Sequence, residues 1–242
     1  MFKLMSAELY RLLHKKSLYI YFTALAAGYF IIAFIRSGGF DENSVLADAM
    51  TLFTLLPALA GGFLFAAVYI DDLSSKNLIT LVGYGVNKLT IIFVKFILMA
   101  LFGLVLFGLA PLYHFAVYAI LGRPVTAEIA ATVCAASLKY LLTALAFAAL
   151  SGVVTYGLQR ATFAIVTYLL LSFGVVGGLV STVLNTFAPS LSGFLMSAIS
   201  DRILLGMLGS GPLVLPVAEY VVYVLAGLVL SAVAFFRKEM EF

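Results

Sequence analysis

Six stretches of this chain, residues 17–35, 49–70, 96–122, 140–159, 161–200 and 220–236, contain no Asp, Glu, Lys or Arg. Lipid offers a bare backbone no hydrogen-bond partner, so an apolar run of about 20 residues is stable there only as a helix that satisfies its own peptide groups. With 64% of the residues hydrophobic, 10% charged and a mean hydropathy of +1.17, the chain lies far above the roughly 45–50% apolar content of soluble domains. A water-soluble globule is excluded. The expectation is one all-α polytopic domain over residues 1–242, with six spans at 17–36, 49–70, 89–121, 129–156, 162–184 and 217–236.

The run 161–200 is too long for one straight span. Beyond it, residues 185–216 hold Pro189, Pro212, Pro216, four glycines and the pair Asp201 and Arg202. That composition predicts a broken, re-entrant external segment, tolerable at membrane depth only where protein covers the backbone. The single cysteine, Cys134, can form no internal disulfide. No G-x-x-x-x-G-K-[ST] phosphate loop is present, so any ATP used is bound by another chain.

Orientation follows from the cations. A cytoplasmic N-terminus puts Lys3, Arg11, Lys15, Lys16, Lys76, Lys88, Lys95, Arg160, Arg237 and Lys238 inside, against Arg36, Arg123 and Arg202 outside, and an even number of spans returns the C-terminus to the cytoplasm. In the absence of Trp, Tyr19, Tyr69 and Tyr156 near the inner ends and Tyr113 and Tyr118 near an outer end supply interfacial anchors. Ala24-Leu25-Ala26 has the form of a signal-peptidase site, but the apolar run continues past it and no cleavage is expected. The chain reads as a multi-pass protein of a cell membrane. Its cations follow the membrane flanks, with no soluble basic surface for nucleic acid.

Residues 1–16 have helical periodicity: Phe2, Met5, Leu9, Leu12 and Leu13 share one face, Lys3, Glu8, Arg11, His14 and Lys15 the other, and Leu4 is out of place. Such a helix lies at the membrane surface with its apolar face in the headgroup boundary and its cations toward anionic lipid; a basic start to the first span is the other reading.

Between spans two and three, residues 71–87 open with Asp71, Asp72, Leu73, Ser74, Ser75 and Lys76, whose acids and hydroxyls suit a helix N-terminus. From Asn77, the residues Leu78, Leu81 and Val82 form an apolar stripe on a segment too short to span, ended by Gly83 and Gly85. The stripe fits either a groove on a partner protein or the chain's own spans.

At this point the sequence resembles the permeases of type-2 ABC exporters. The resemblance rests on the acidic pair Asp71-Asp72, the stretch Lys76-Asn77-Leu78-Ile79-Thr80-Leu81, the turn Gly85-Val86-Asn87-Lys88, Lys95 early in the next span, and the order of elements along nearly the whole chain. It departs from the family at Asn77, where Gly is usual, at Gly85, where Pro is usual, and at Lys88, where Arg is usual. The resemblance implies a coupling helix over residues 71–87 that contacts a separate ATPase, present in two copies and holding ATP and Mg, so that this chain needs no cofactor and has no catalytic residue. It implies a second permease copy, a homodimer in preference to a heterodimer. It also implies a path lined by spans two and five, where Phe53, Phe63, Phe65, Phe163 and Phe173 are the candidates. Gly174, Gly177, Gly178 and Ser181 have the small side chains that let spans pack closely and are candidates for the permease contact. An apolar, aromatic path with short external loops favours a hydrophobic or amphipathic cargo, a peptide or a drug.

Ionisable groups inside the spans are few. Lys139 is the clear case and a candidate for the path; snorkelling or an ion pair with Asp48, Asp201 or Glu219 is the other role open to it. His14 and His114 have no metal-ligand spacing, so no metal is expected. Asp41, Glu42, Asp48, Asp71 and Asp72 read as loop acids. An ion- or proton-coupled secondary transporter, or a membrane partner protein that transports nothing, are the alternative readings.

Overall fold

The computed structural model describes residues 2–36, 42–74, 77–123 and 125–238, and within them every regular element is helical. Five helices are long and apolar enough to span a bilayer, and a bent pair makes a sixth candidate, consistent with a polytopic membrane protein. The order is α1 (Phe2–Leu13), α2 (Lys16–Arg36), α3 (Glu42–Leu56), α4 (Gly62–Phe65), α5 (Asp71–Ser74), α6 (Asn77–Gly83), α7 (Lys88–Ile120), α8 (Ala127–Leu158), α9 (Ala161–Ser172), α10 (Val175–Phe187), α11 (Met196–Met207) and α12 (Val214–Arg237). Ser75 and Lys76 of the expected coupling segment, and Asp41 among the expected loop acids, lie outside the described residues.

Helix α8 is the hub, touching α3, α7, α9, α11 and α12. Its sequence explains this. Ala144, Ala146, Ala148, Ala149, Ser151 and Gly152 keep it thin, and a thin helix is what membrane packing uses to bring backbones together. A Cβ on Gly227 of α12 would lie 3.0 Å from the carbonyl carbon of Ala149, and one on Gly152 would lie 2.7 Å from Ser231 Oγ; Ser231 Oγ itself donates to Ala149 O at 3.2 Å. The close contact therefore runs through α8 and α12. Around Gly177 and Gly178 an added Cβ would meet nothing within 4 Å, and α10 has no buried residue.

Proline sites are satisfied individually. Pro111 inside α7 leaves the carbonyl of Phe107 without its helical N–H, and Ser137 of α8 donates its hydroxyl to that oxygen. The second span is interrupted by two π-turns, Pro57–Gly61 and Ala66–Ile70. At the first, Tyr168 Oη donates to Pro57 O at 3.1 Å, and the same hydroxyl leaves no room for a Cβ on Gly61.

Several expectations change. The second span runs Leu46–Leu73, so Asp48 lies within it, buried, its Oδ2 accepting from Tyr118 Oη at 2.6 Å; it is not a loop acid. The third span, Lys88–Ile120, lies where it was expected, and Lys95 is buried in it. The fifth is not one helix over 162–184: α9 and α10 meet at 58°, broken at Gly174, whose φ of +73° favours glycine. Residues 185–216 contain a 3-10 turn, Pro189–Phe194, and the helix α11.

Helix α1 packs on the bundle. Leu12 is fully buried, Leu4, Met5 and Leu9 lie against the main core, and Phe2 and Leu13 are exposed. The inward face is rotated toward Glu8 relative to the apolar face read from the sequence, which turns Leu4 inward. The rotation has an electrostatic cause.

Candidate functional site

Glu8 and Arg11 stand three residues apart on α1, on neighbouring turns of one face. Arg11 Nε and Nη2 donate to Glu8 Oε2 at 3.0 and 2.8 Å, and Arg11 Nη1 donates to Asp71 Oδ2 at 3.2 Å. The second π-turn supplies a further acceptor: the N–H of Asp71 bonds to Ala66 O, and the carbonyl of Ala67 accepts from Arg11 Nη2 at 3.3 Å. Lys15 also pairs with Asp71.

From the other side comes Lys95 of α7, 1% exposed. It pairs with Asp72, and its Nζ lies 2.8 Å from Glu8 Oε2. Asp72 Oδ1 stands 3.6 Å from Arg11 Nη2. Three acids and three bases from α1, α5 and α7, with Lys15 just beyond α1, thus form one neutral cluster. Neutrality matters, because a buried unpaired charge is far costlier than a buried pair. Burial by itself would raise the Glu8 carboxyl, but Lys95 and Arg11 outweigh it and hold it below its ordinary value. Burial likewise disfavours the Arg11 cation, yet Glu8, Asp72 and Asp71 raise its pKa further.

Asp71 and Asp72 therefore turn their carboxylates into the cluster, whereas the sequence suggested helix caps. The sequence reading also missed Glu8 and Lys95 as partners. The signal was available: a lysine inside an apolar span demands an acid within reach, and Asp72 precedes the same span.

The short helix α6 follows. Leu78 is buried in the main core, and Leu81 and Val82 pack against it, so the apolar stripe faces the chain's own spans. A turn closes α6, with the N–H of Gly85 bonded to Val82 O at 2.9 Å and that of Val86 to Leu81 O at 3.0 Å, and Gly85 has φ +77°. Asn87 then caps α7 through Oδ1, which accepts from the N–H of Leu89 at 2.9 Å. What α6 presents outward is Asn77, Thr80 and the Gly83–Gly85 turn, with Tyr84 84% exposed. Lys88 bonds the carbonyl of Phe235 at 2.9 Å, which ties this turn to the end of α12.

The path candidates divide. Phe53 and Phe65 are fully buried in the chain's own core. Phe63 stacks on Tyr21 with ring centroids 4.1 Å apart. Phe163 and Phe173 are exposed. Gly174 lies at the break in the bent span, and Gly177, Gly178 and Ser181 lie on the open helix α10, where Ser181 Oγ donates to Gly178 O at 2.8 Å. Lys139 takes Asp201 as partner at 2.5 Å, while Glu219 pairs with Arg202.

A second buried network lies toward the other end of the bundle. Tyr29 Oη stands 2.5 Å from Nδ1 of the fully buried His114, and Tyr118 Oη donates to Asp48 Oδ2. These bonds join α2, α3 and α7. They count for α2, because that span is only 11% buried and stands off the bundle around a cavity of about 250 Å³ lined by residues that include Phe22, Tyr29, Phe107 and Tyr113. Among the described residues no group of three His, Cys, Asp or Glu side chains could hold a metal.

The fold places the chain among all-helical proteins with the make-up of a multi-pass membrane protein. No protein-family model and no curated protein matches it.

Proposed function

We propose that this chain is the permease of an ATP-driven exporter of the type-2 ABC kind. Its partner is a separate ATPase, present in two copies and carrying ATP and Mg, that docks at the outward side of α6. The observation that carries the reading is the ion cluster: it joins α1, the end of the second span and the third span into one block, with α6 held on the same block by Leu78. A displacement applied to α6 is then delivered to two spans at once, because packed, charge-locked elements shift between discrete arrangements instead of deforming. Both termini lie in the cytoplasm in this reading, which the lysine and arginine distribution supports. A second copy completes the path, and the cargo is hydrophobic or amphipathic, a peptide or a drug. The chain itself performs no catalysis.

The experiment is purification of the tagged protein from its native cells in mild detergent, followed by mass spectrometry. A co-purifying chain with a nucleotide-binding loop, lost in Y84D with the permease still folded, is the expected result. A folded permease that brings down no such chain refutes the proposal.

The network of His114, Tyr29, Tyr118 and Asp48 favours a second reading, a proton-coupled transporter, since intramembrane ionisable groups commonly serve proton transfer. Solute movement driven by a pH gradient in proteoliposomes without any ATPase, and lost in H114Q, distinguishes it.

A further inference from the structure

The pair Lys139–Asp201 has surroundings that a lipid-facing surface does not explain. At about 1.5 Å per residue, Lys139 lies about 18 Å along α8 from its Ala127 end. If α8 is centred on a hydrocarbon layer of about 30 Å, its ammonium belongs well inside that layer. Thr54, about 12 Å from the start of the second span, reaches a similar depth on α3. The ammonium is held by a carboxylate on α11 and by a neighbouring ring. It bonds Asp201 Oδ1 on α11 at 2.5 Å and lies 4.8 Å from the ring centroid of Tyr140, whose hydroxyl is 2.8 Å from Thr54 Oγ1.

The strip that results, Thr51, Thr54, Tyr140, Lys139 and Asp201, is contributed by three helices. Thr51 and Thr54 are exposed, and the Asp201 side chain is 61% exposed. Acyl chains against an open carboxylate at this depth are strongly disfavoured. Water, or protein that brings water with it, is the environment these groups suit.

We propose that this strip lines a water-filled vestibule at the end of the path remote from α1, which receives the hydrated, charged end of an amphipathic solute. The proposal rests on the permease reading and deepens it, while its test needs no ATPase.

The vestibule is tested on the full chain in proteoliposomes. Cys134 is replaced by serine, and single cysteines are placed at T51C and T54C and, as a lipid-facing control, at L112C, an exposed position on α7. The probe is a membrane-impermeant cationic methanethiosulfonate. T51C and T54C are expected to react roughly 50-fold or more faster than L112C, since a fixed cation is excluded from hydrocarbon. Rates equal to that of L112C overturn the vestibule. So does quantitative disulfide cross-linking of T54C to a second copy with no reaction toward the probe, which identifies a dry subunit contact. A second measurement compares cationic with anionic reagents at T54C. K139Q leaves Asp201 uncompensated, so the ratio of cationic to anionic rate should rise several-fold by local potential, and an unchanged ratio counts against it. Labelling in a chain that binds no ATPase removes the exporter reading and leaves the vestibule; ATPase binding with no labelling does the reverse.

Discussion

Lys95 of the third span and Glu8 of the N-terminal helix share a buried contact of 2.8 Å, although 87 residues separate them in sequence. That contact, with Asp72 on the far side of the ammonium, makes α1 part of the bundle.

Removing one member of the cluster strands the others. K95M leaves Glu8 and Asp72 with less compensation at a buried site and is expected to destabilise the fold by about 3–5 kcal/mol. K95M combined with D72L removes a neutral pair and should recover most of the loss. Thermal unfolding in detergent, followed by loss of monodisperse elution, measures both. A single variant as stable as the parent would show that the cluster contributes nothing.

Acid should release α1. Glu8 is held below its ordinary carboxylate value, so the unfolded chain binds more protons than the native one in the acid range. The contribution of Glu8 is therefore complete above the ordinary carboxylate value and disappears as the pH falls through the depressed one. The chain has no tryptophan, so Y10W on the exposed side of α1 gives a single reporter. Its emission should change in acid at a pH below the ordinary glutamate range. E8Q should abolish that step.

Leu81 and Tyr84 should behave oppositely. L81D introduces a charge against the main core, with an expected cost of several kcal/mol and loss of folded protein. Y84D alters an exposed turn and should stay within about 0.5 kcal/mol of the parent. Yield and melting temperature in the same detergent separate the two. Equal tolerance would place α6 away from the core.

The glycines also divide. G227L forces a side chain onto the backbone of Ala149, where even a Cβ has a 3.0 Å contact, and should cost about 1–3 kcal/mol. G177A meets nothing in this chain and should be neutral or stabilise by up to about 1 kcal/mol through the better helix former. If α10 is where two copies meet, G177A will also shift the protein toward smaller species in light scattering. An unchanged mass removes Gly177 from the permease contact.

Composition and period alone determined that the chain is helical, that five or six of its segments are long and apolar enough to span, and roughly where those segments lie. Spans are legible because lipid imposes a single requirement, about 20 apolar residues folded as a helix, and that requirement is local. The amphipathic character of α1 and the short helix after the second span were legible for the same reason. Which face each presents was decided elsewhere. Leu78, Leu81 and Val82 turn inward because the adjoining spans offer a core. α1 is rotated toward Glu8 because Lys95 and Arg11 need acids at one place. Asp48 and His114 are buried by helices distant in sequence that approach with tyrosines. The bend at Gly174 and the union of Lys139 with Asp201 likewise depend on how helices meet. Hydropathy reports the solvent a segment prefers, whereas the pairing of buried charges depends on distances between segments that only the packed bundle sets.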